Sequence, residues 1–516
     1  MASATILDDN VITDLRVEWF SSATFSPADP LDVHKWHTVE KDLYLHSDER
    51  TAWLRLKHER RRELTKEDLV VVGIKIGKLQ STNATEADWE SRPGGISILR
   101  RKYDANSFEA VTSVDVLFGA DAVDPRPQWN ILQEALQLEA APGIPVARLT
   151  IRHGSRKPRA PTAKLTLKED STFKILQVSD THMVTGEGTC QDAIDADGRF
   201  LPPSVADPLT VKFLGEVLDR EQPDLVLFTG DQVHHDVPDS QSAMFKVVAP
   251  LIKRSIPWAA IFGNHDTEGK HALSRKAQMS ILQDLPFSQC HPGPHHVDGT
   301  GNYYLQIHDP AKSSVLDLYL LDSHEQISSD VHDPDYDPIK PSQIEWFKRT
   351  AQNLRRSRKN ECFHASMAFL HIPLPEFGNE DLILSTGQRR EPTEGPSINT
   401  HFYDALAEEG VAVIGCGHDH VNNFCAKIPL EENAGSHRPW LCYGGGTGFG
   451  GYCSYGKERY HRRTRVYELN AKRHSLKTWT RVECAKDRVD ELLLIGEGAD
   501  EYSGKPLGES KAHHVF

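Results

Sequence analysis

Short apolar runs, each closed by a polar turn, set the rhythm of this chain. In its first third, Ala52 to Lys57, Leu69 to Ile76, Gly95 to Arg100 and Val111 to Phe118 are rich in Val, Ile and Leu. Clusters such as Ser81-Thr82-Asn83 and Arg92-Pro93-Gly94-Gly95 separate them, which predicts a small β-rich N-terminal domain over residues 1–155. From Arg152 to Asp170 the chain mixes Pro, Gly and Lys in the manner of an exposed connector. The rhythm then changes. Phe173 to Val178, Asp224 to Phe228, Trp258 to Phe262, Val315 to Leu321, Ser366 to Leu370 and Val411 to Ile414 are nearly continuous in apolar residues, as strands covered on both faces must be. Amphipathic helices are predicted between them. One opens with Asp207 as N-cap and Pro208 in the first position, presenting Val211, Leu214, Val217 and Leu218 on one face. Another begins on the capping box Ser342-Gln343-Ile344-Glu345 and carries Ile344, Phe347, Ala351 and Leu354 inward. This alternation predicts an α/β sandwich over 172–484. Glycines among acids predict a partly disordered tail over 485–516, and the sequence shows no internal repeat.

Length and charge bound the reading. With 516 residues the chain exceeds one ordinary core. Its 59 Lys and Arg against 74 Asp and Glu leave a net charge of -15, which argues against a nucleic-acid partner. Met1 to Asp14 has neither the basic nor the sustained apolar region of a signal peptide, and no run of about 18 apolar residues offers a membrane span. An intracellular, cytoplasmic protein with no membrane partner is expected. The eight cysteines never form a CxxC and are expected as reduced thiols, and Asn83-Ala84-Thr85 as an ordinary polar loop.

The chemistry lies where the strands end. Phe173 to Val178 runs into Ser179-Asp180-Thr181-His182, and Asp224 to Phe228 into Thr229-Gly230-Asp231. The strand reaching Phe262 continues as Gly263-Asn264-His265-Asp266, Leu370 precedes His371, and Ile414 precedes Gly415-Cys416-Gly417-His418-Asp419-His420. Five strand ends thus deliver Asp, His and Asn to one edge of the sheet, where open α/β folds bind ligands. Carboxylate, amide oxygen and imidazole without thiolate suit Mn, Fe or Zn as divalent or trivalent ions. Asp180 and His182 can reach one ion from a single turn, and His418 and His420 can aim at neighbouring ions in the same way.

The ordered series D-x-H, GD, GNHD, H and GH-x-H resembles the calcineurin-like metallophosphoesterase superfamily from about Phe173 to Glu483. The resemblance implies a four-layer α/β/β/α sandwich and two metal ions. Asp180, His182, Asp231 and His420 would hold one; Asp231, Asn264, His371 and His418 would hold the other, with Asp231 bridging. It also implies His265 as a non-ligand histidine beside the phosphate, oriented by Asp266. Two ions about 3.5–4 Å apart can bind phosphate oxygens and lower the pKa of a shared water, so that hydroxide attacks phosphorus. His265 would donate a proton to the leaving oxygen.

Departures narrow the subfamily. Purple acid phosphatases carry a tyrosine three residues after the GD aspartate, where this chain has His234. The Ser/Thr protein phosphatases show GD-x-VDRG and GNHE, which are absent here. The layout, with Trp89 to Gly95, Gly301-Asn302-Tyr303-Tyr304 and the glycine-rich Tyr443 to Tyr452, is similar to fungal phosphatases of the dosage-dependent cell-cycle regulator type. That likeness implies a phosphoprotein substrate, with a phosphorylated small molecule as the other candidate. A phosphodiesterase of the same fold, or a catalytically weak partner-binding scaffold, are the alternatives.

Other features carry competing readings. Gly446-Thr447-Gly448-Phe449-Gly450-Gly451 fits a dinucleotide fingerprint by letter but lacks its strand-then-helix frame, so a tight turn near the metal site, with N–H groups free to approach phosphate, is expected. Arg459, Arg462, Arg463 and Arg465 are read as a solvated or packing-support strand ahead of a phosphate clamp. Arg60-Arg61-Arg62 is read as a solvated face. His234 and His235 are either surface residues or groups that orient a ligand. His291, His295 and His296 belong to a loop that could cover the site or bind a stray ion. The oligomeric state has no signature.

Overall fold

The computed structural model describes residues 10–20, 36–47, 50–77, 88–105, 108–140, 142–155, 163–327, 335–358, 363–429 and 437–499. The 81–83 turn, the 83–85 sequon, the middle of the connector, Cys362 and residues 500–516 of the expected tail lie outside them. Contacts divide the chain into two compact units. One comprises Met1–Ala160, Thr185–Glu187 and Pro238–Ala249; the other comprises Pro161–Val184, Gly188–Val237 and Pro250–Phe516.

The first unit is β-rich, as the sequence predicts, and its described residues form nine main strands in three antiparallel sheets. They are Asn10–Phe20, Trp36–Asp42 and Thr51–Arg60; Leu69–Ile76, Trp89–Arg92 and Ile96–Lys102; Val111–Phe118, Trp129–Ala135 and Ala147–His153. In every trio the last strand in the chain lies in the middle. The topology therefore repeats three times although the sequence shows no repeat. Pairs of residues two apart, such as Leu15 and Val17, Leu54 and Leu56, Ile74 and Ile76, and Leu149 and Ile151, fill one shared core, which is the period a half-buried strand requires.

The second unit contains two large sheets. The first runs in the order Trp258–Ile261, Leu225–Thr229, Thr172–Val178, Arg463–Asn470, Ser475–Val482, Val489–Ile495. Its first three strands are parallel and the rest antiparallel. The second sheet runs Tyr303–His308, Ser314–Leu320, Ala365–Phe369, Val413–Cys416, Trp440–Tyr443, Cys425–Lys427, Ile383–Thr386, and its parallel strands are Ser314–Leu320 to Trp440–Tyr443. The sheets meet face to face: the Phe369 and Tyr467 rings lie 5.9 Å apart, and Gln177 Nε2 donates to Cys416 O at 2.9 Å.

Helices cover the outer faces. Helix α1 (Asp207–Glu221) packs on the first sheet, where Trp479 Nε1 donates to Glu221 Oε1 at 3.1 Å; α2 (Ser240–Lys253), most of which belongs to the first unit, and α3 (Arg275–Gln283) come next in the chain. On the second sheet, α4 (Pro341–Ser357) and α5 (Phe402–Glu408) close a core in which Phe347 touches Tyr319 and Phe402. The result is the expected helix, sheet, sheet, helix sandwich.

Several expectations are corrected. Ala206, not Asp207, is the N-cap of α1; Asp207 accepts instead from the Val184 N–H at 3.0 Å. Helix α4 starts at Pro341 with Lys340 as N-cap, so only the reciprocal half of the box forms, as Gln343 Oε1 accepts from the Lys340 N–H at 2.8 Å. Val489–Ile495, placed in the tail by sequence, is a strand that pairs with Ser475–Val482. The cysteines are not all reduced: Cys425 and Cys442 form a disulfide. These two residues sit directly opposite one another in an antiparallel pair, with Cα atoms 4.2 Å apart, a cross-strand relation that sequence spacing does not reveal. Among the described residues no helix is long and apolar enough to cross a membrane.

Candidate metal centre

All seven proposed ligand residues stand just after strand ends of the second unit, and six of them are drawn together there. Asp180 and His182 follow Thr172–Val178, Asp231 follows Leu225–Thr229, and Asn264 follows Trp258–Ile261, all from the first sheet. His371 follows Ala365–Phe369, and His418 and His420 follow Val413–Cys416, from the second. Two clusters form, each with its ligand-type atoms within 4.8 Å of one another: Asp180, His182 and His420, and Asp231, His371 and His418. Asp231 borders both, its Oδ2 lying 3.3 Å from His371 Nε2 and 3.7 Å from His182 Nε2. Asp180 Oδ1 lies 3.4 Å from His420 Nε2 and 3.9 Å from His371 Nε2.

The backbone bends sharply to bring these groups together. Asp180, His182, Asp231 and His418 have φ of 55°, 45°, 50° and 75°, a left-handed conformation that non-glycine residues sustain only where the surroundings impose it. Glycines make room for the approach. A Cβ on Gly230, itself at φ 98°, would lie 2.3 Å from His371 Nδ1, and one on Gly263 would lie 2.1 Å from Asp231 Oδ1.

The donor set of the cage suits cations. Asn264 Oδ1 and His418 Nε2 are buried and have no hydrogen-bond partner, and His371 Nε2 meets only carboxylate oxygens, a costly arrangement that a metal ion would relieve. Burial alone would depress the His371 imidazole, but Asp231 and Asp180 outweigh it and lift it to about 9. Burial, with His371 beside it, pushes His418 down to about 3. Two imidazoles are oriented from behind by carbonyl oxygens: His371 Nδ1 donates to Thr229 O at 2.8 Å, and His420 Nδ1 to Tyr452 O at 2.6 Å. Ser323 Oγ accepts from the His371 N–H at 3.2 Å, and the Tyr452 ring stacks on His420 at 4.0 Å. Neither Ser323 nor Tyr452 was singled out from sequence; Tyr452 ends the glycine-rich segment.

His265 and Asp266 part company. Asp266 accepts from the backbone N–H groups of Asp231 at 3.0 Å, Gly263 at 2.7 Å and Val233 at 3.0 Å, so it clamps the ligand-bearing loops. Burial and the Asp231 charge raise it to about 7. It does not orient His265, whose Nδ1 pairs with Glu268 instead, a correction to the expected role. The His265 ring is partly exposed and lies 5.4 Å from that of His182.

The neighbouring motifs also resolve. In the glycine-rich loop the N–H groups of Gly446, Thr447 and Gly448 donate to the carbonyls of His420, Ser179 and Asp180, at 2.8, 3.0 and 3.0 Å. They brace the ligand loops and are not free for phosphate. Arg462 is buried and binds Gly448 O, Gly451 O and Asp192; Arg465 binds Tyr443 O and Asn423 O. These arginines are packing support. His234 is drawn to the site, its Nδ1 3.1 Å from His182 Nδ1; burial and the adjacent His235 and His265 hold it down at about 4. His291 is engaged locally, accepting from the Gly293 N–H.

This pairing of a two-sheet sandwich with two ligand clusters at its strand ends is the architecture of a metallophosphoesterase. The sequence model of the calcineurin-like phosphoesterase family matches residues 173–422. Phosphatase DCR2 of Saccharomyces cerevisiae is 35% identical over 404 residues, 75% of this chain and 67% of that protein. Probable inactive purple acid phosphatases 29 and 14 of Arabidopsis thaliana are 39% and 37% identical, covering 62% and 64% of this chain and 85% and 86% of theirs. The chain belongs to the calcineurin-like phosphoesterase family.

Proposed function

We propose that this chain is a binuclear metal-dependent phosphatase that hydrolyses phosphate monoesters, phosphoproteins among them. The observation that carries this reading is the pair of buried ligand clusters that approach one another at Asp231, with Asn264 Oδ1 and His418 Nε2 buried and lacking a partner. Asp180, His182, Asp231 and His420 would hold one ion, and Asp231, Asn264, His371 and His418 the other, as Mn, Fe or Zn. When bound, the ions supply positive charge for the phosphate oxygens and acidify water. The chain's own residues do the rest. Asp266 and the glycine-rich loop fix the ligand loops, so the reacting groups meet a preformed frame. Glu268 holds His265 by Nδ1, leaving Nε2 as the atom from which a proton passes to the leaving oxygen.

The names of the Arabidopsis relatives make an inactive, partner-binding protein the second reading. Phosphate release from an aryl phosphate monoester separates the two: it is expected to stop with chelator and return with Mn. A faster reaction on the matched diester would reassign the substrate class, and no turnover with any metal would overturn the enzyme reading.

A further inference from the structure

Three histidines in the cage present Nε2 toward the carboxylates, so each carries its other nitrogen away from them. For His371 and His420 that nitrogen meets a backbone carbonyl, Thr229 O and Tyr452 O. His182 differs. Its Nε2 faces His420 Nε2 at 3.1 Å and Asp231 Oδ2 at 3.7 Å; with Nε2 given to an ion, the proton would sit on Nδ1, and the acceptor facing Nδ1 is the imidazole of His234, at 3.1 Å. His234 is held there independently: its N–H donates to Met183 O at 2.9 Å, next to the bridge between Met183 and Val233, and its ring lies 4.1 Å from that of His235.

Resting on the binuclear reading, we propose that His234 is a positioning residue for one ion only, fixing the tautomer and the angle of His182. Groups behind a metal-bound histidine typically contribute about 10- to 100-fold in metal affinity. The three histidines predict an asymmetry. In the cluster of Asp231, His371 and His418, His371 is backed by main chain, which substitution does not remove, whereas in the cluster of Asp180, His182 and His420 the backing of His182 is a half-buried side chain. One site should therefore be selectively weakened by a single change outside the ligand set.

The test is metal binding on the full chain, read by calorimetric titration with Mn and by metal content after dialysis. His234→Phe, which keeps bulk but removes the acceptor, is expected to retain one ion and to bind the second about 10- to 100-fold more weakly. His234→Gln, which restores a carbonyl acceptor, is expected to recover most of that loss. Two ions bound by His234→Phe as tightly as by the unsubstituted chain would overturn the proposal while leaving the binuclear reading intact. So would equal losses in both variants with matching circular dichroism. If the unsubstituted chain itself holds no pair of ions, the binuclear reading fails, and this inference with it.

Discussion

Asp231 Oδ2 stands 3.3 Å from His371 Nε2, and the two residues arrive from different sheets, one from the end of Leu225–Thr229 and the other from the end of Ala365–Phe369. His182 Nε2 approaches the same oxygen at 3.7 Å. Asp231→Asn exchanges this shared oxygen's charge for a neutral amide. Loss of both ions is expected, along with turnover reduced at least about 100-fold, because the whole charge stabilisation depends on them. Metal content by mass spectrometry checks this: two ions retained in Asp231→Asn would remove Asp231 from its bridging role.

Gly263→Ala would drive a methyl group to 2.1 Å from Asp231 Oδ1 and 2.7 Å from His371 Nε2. Backbone must shift, at a cost of about 1–3 kcal/mol, and the metal cage must distort with it. Gly410→Ala is the control. At φ 77° it carries a conformational cost of roughly 1–2 kcal/mol, but no atom lies within 4 Å of the new carbon. Thermal melting should fall in both variants and metal content only in the first.

His58, in the N-terminal unit, is pushed down to about 4 by burial, reinforced by His37, whose ring lies 5.6 Å away. An unfolded histidine binds its proton near pH 6.5, so between pH 6.5 and 4 the unfolded state holds more protons and stability falls as the pH is lowered. With His58 partly exposed, the effect should be about 2–3 kcal/mol. In urea titrations at pH 7 and pH 4, His58→Gln should lose correspondingly less stability than the unsubstituted chain. Identical losses would show that His58 takes up its proton without penalty.

The Cys425–Cys442 bond closes a loop of sequence separation 17, for which chain-entropy arguments give about 3 kcal/mol. Replacing both cysteines by alanine should lower stability by about that amount. Peptide mapping after alkylation under non-reducing, denaturing conditions should recover the two residues linked; finding both alkylated would show them to be free thiols.

The parts of this molecule that sequence revealed are those where one physical constraint acts alone. Strands such as Leu225–Thr229 are buried on both faces and read as unbroken apolar runs, and the ligand residues stand directly after them. Arg463–Asn470 does not read as a buried strand because Arg463 and Arg465 are buried in it, Arg463 bound to His461 O two residues earlier and Arg465 to Tyr443 O and Asn423 O from distant loops. Trp129–Ala135 alternates too weakly, with most of its residues half-buried. Asp266 has the composition of a catalytic partner, yet its acceptors are filled by three N–H groups that only the folded loops bring together. His234 and Cys425–Cys442 likewise depend on neighbours far away in the chain or across a strand pair.

Because three ligand-bearing turns grow from one sheet and two from the other, the cage lies on a seam. Its dimensions are set by the registration of two stacked layers, held in part by Gln177 reaching from the first sheet to Cys416 O in the second. A change that lets one layer slide by an ångström would re-aim His371, His418 and His420 together, without touching any of them. Metal retention is therefore a gauge of how well the two halves of the sandwich are aligned, sensitive to packing far from the edge where the ions would sit.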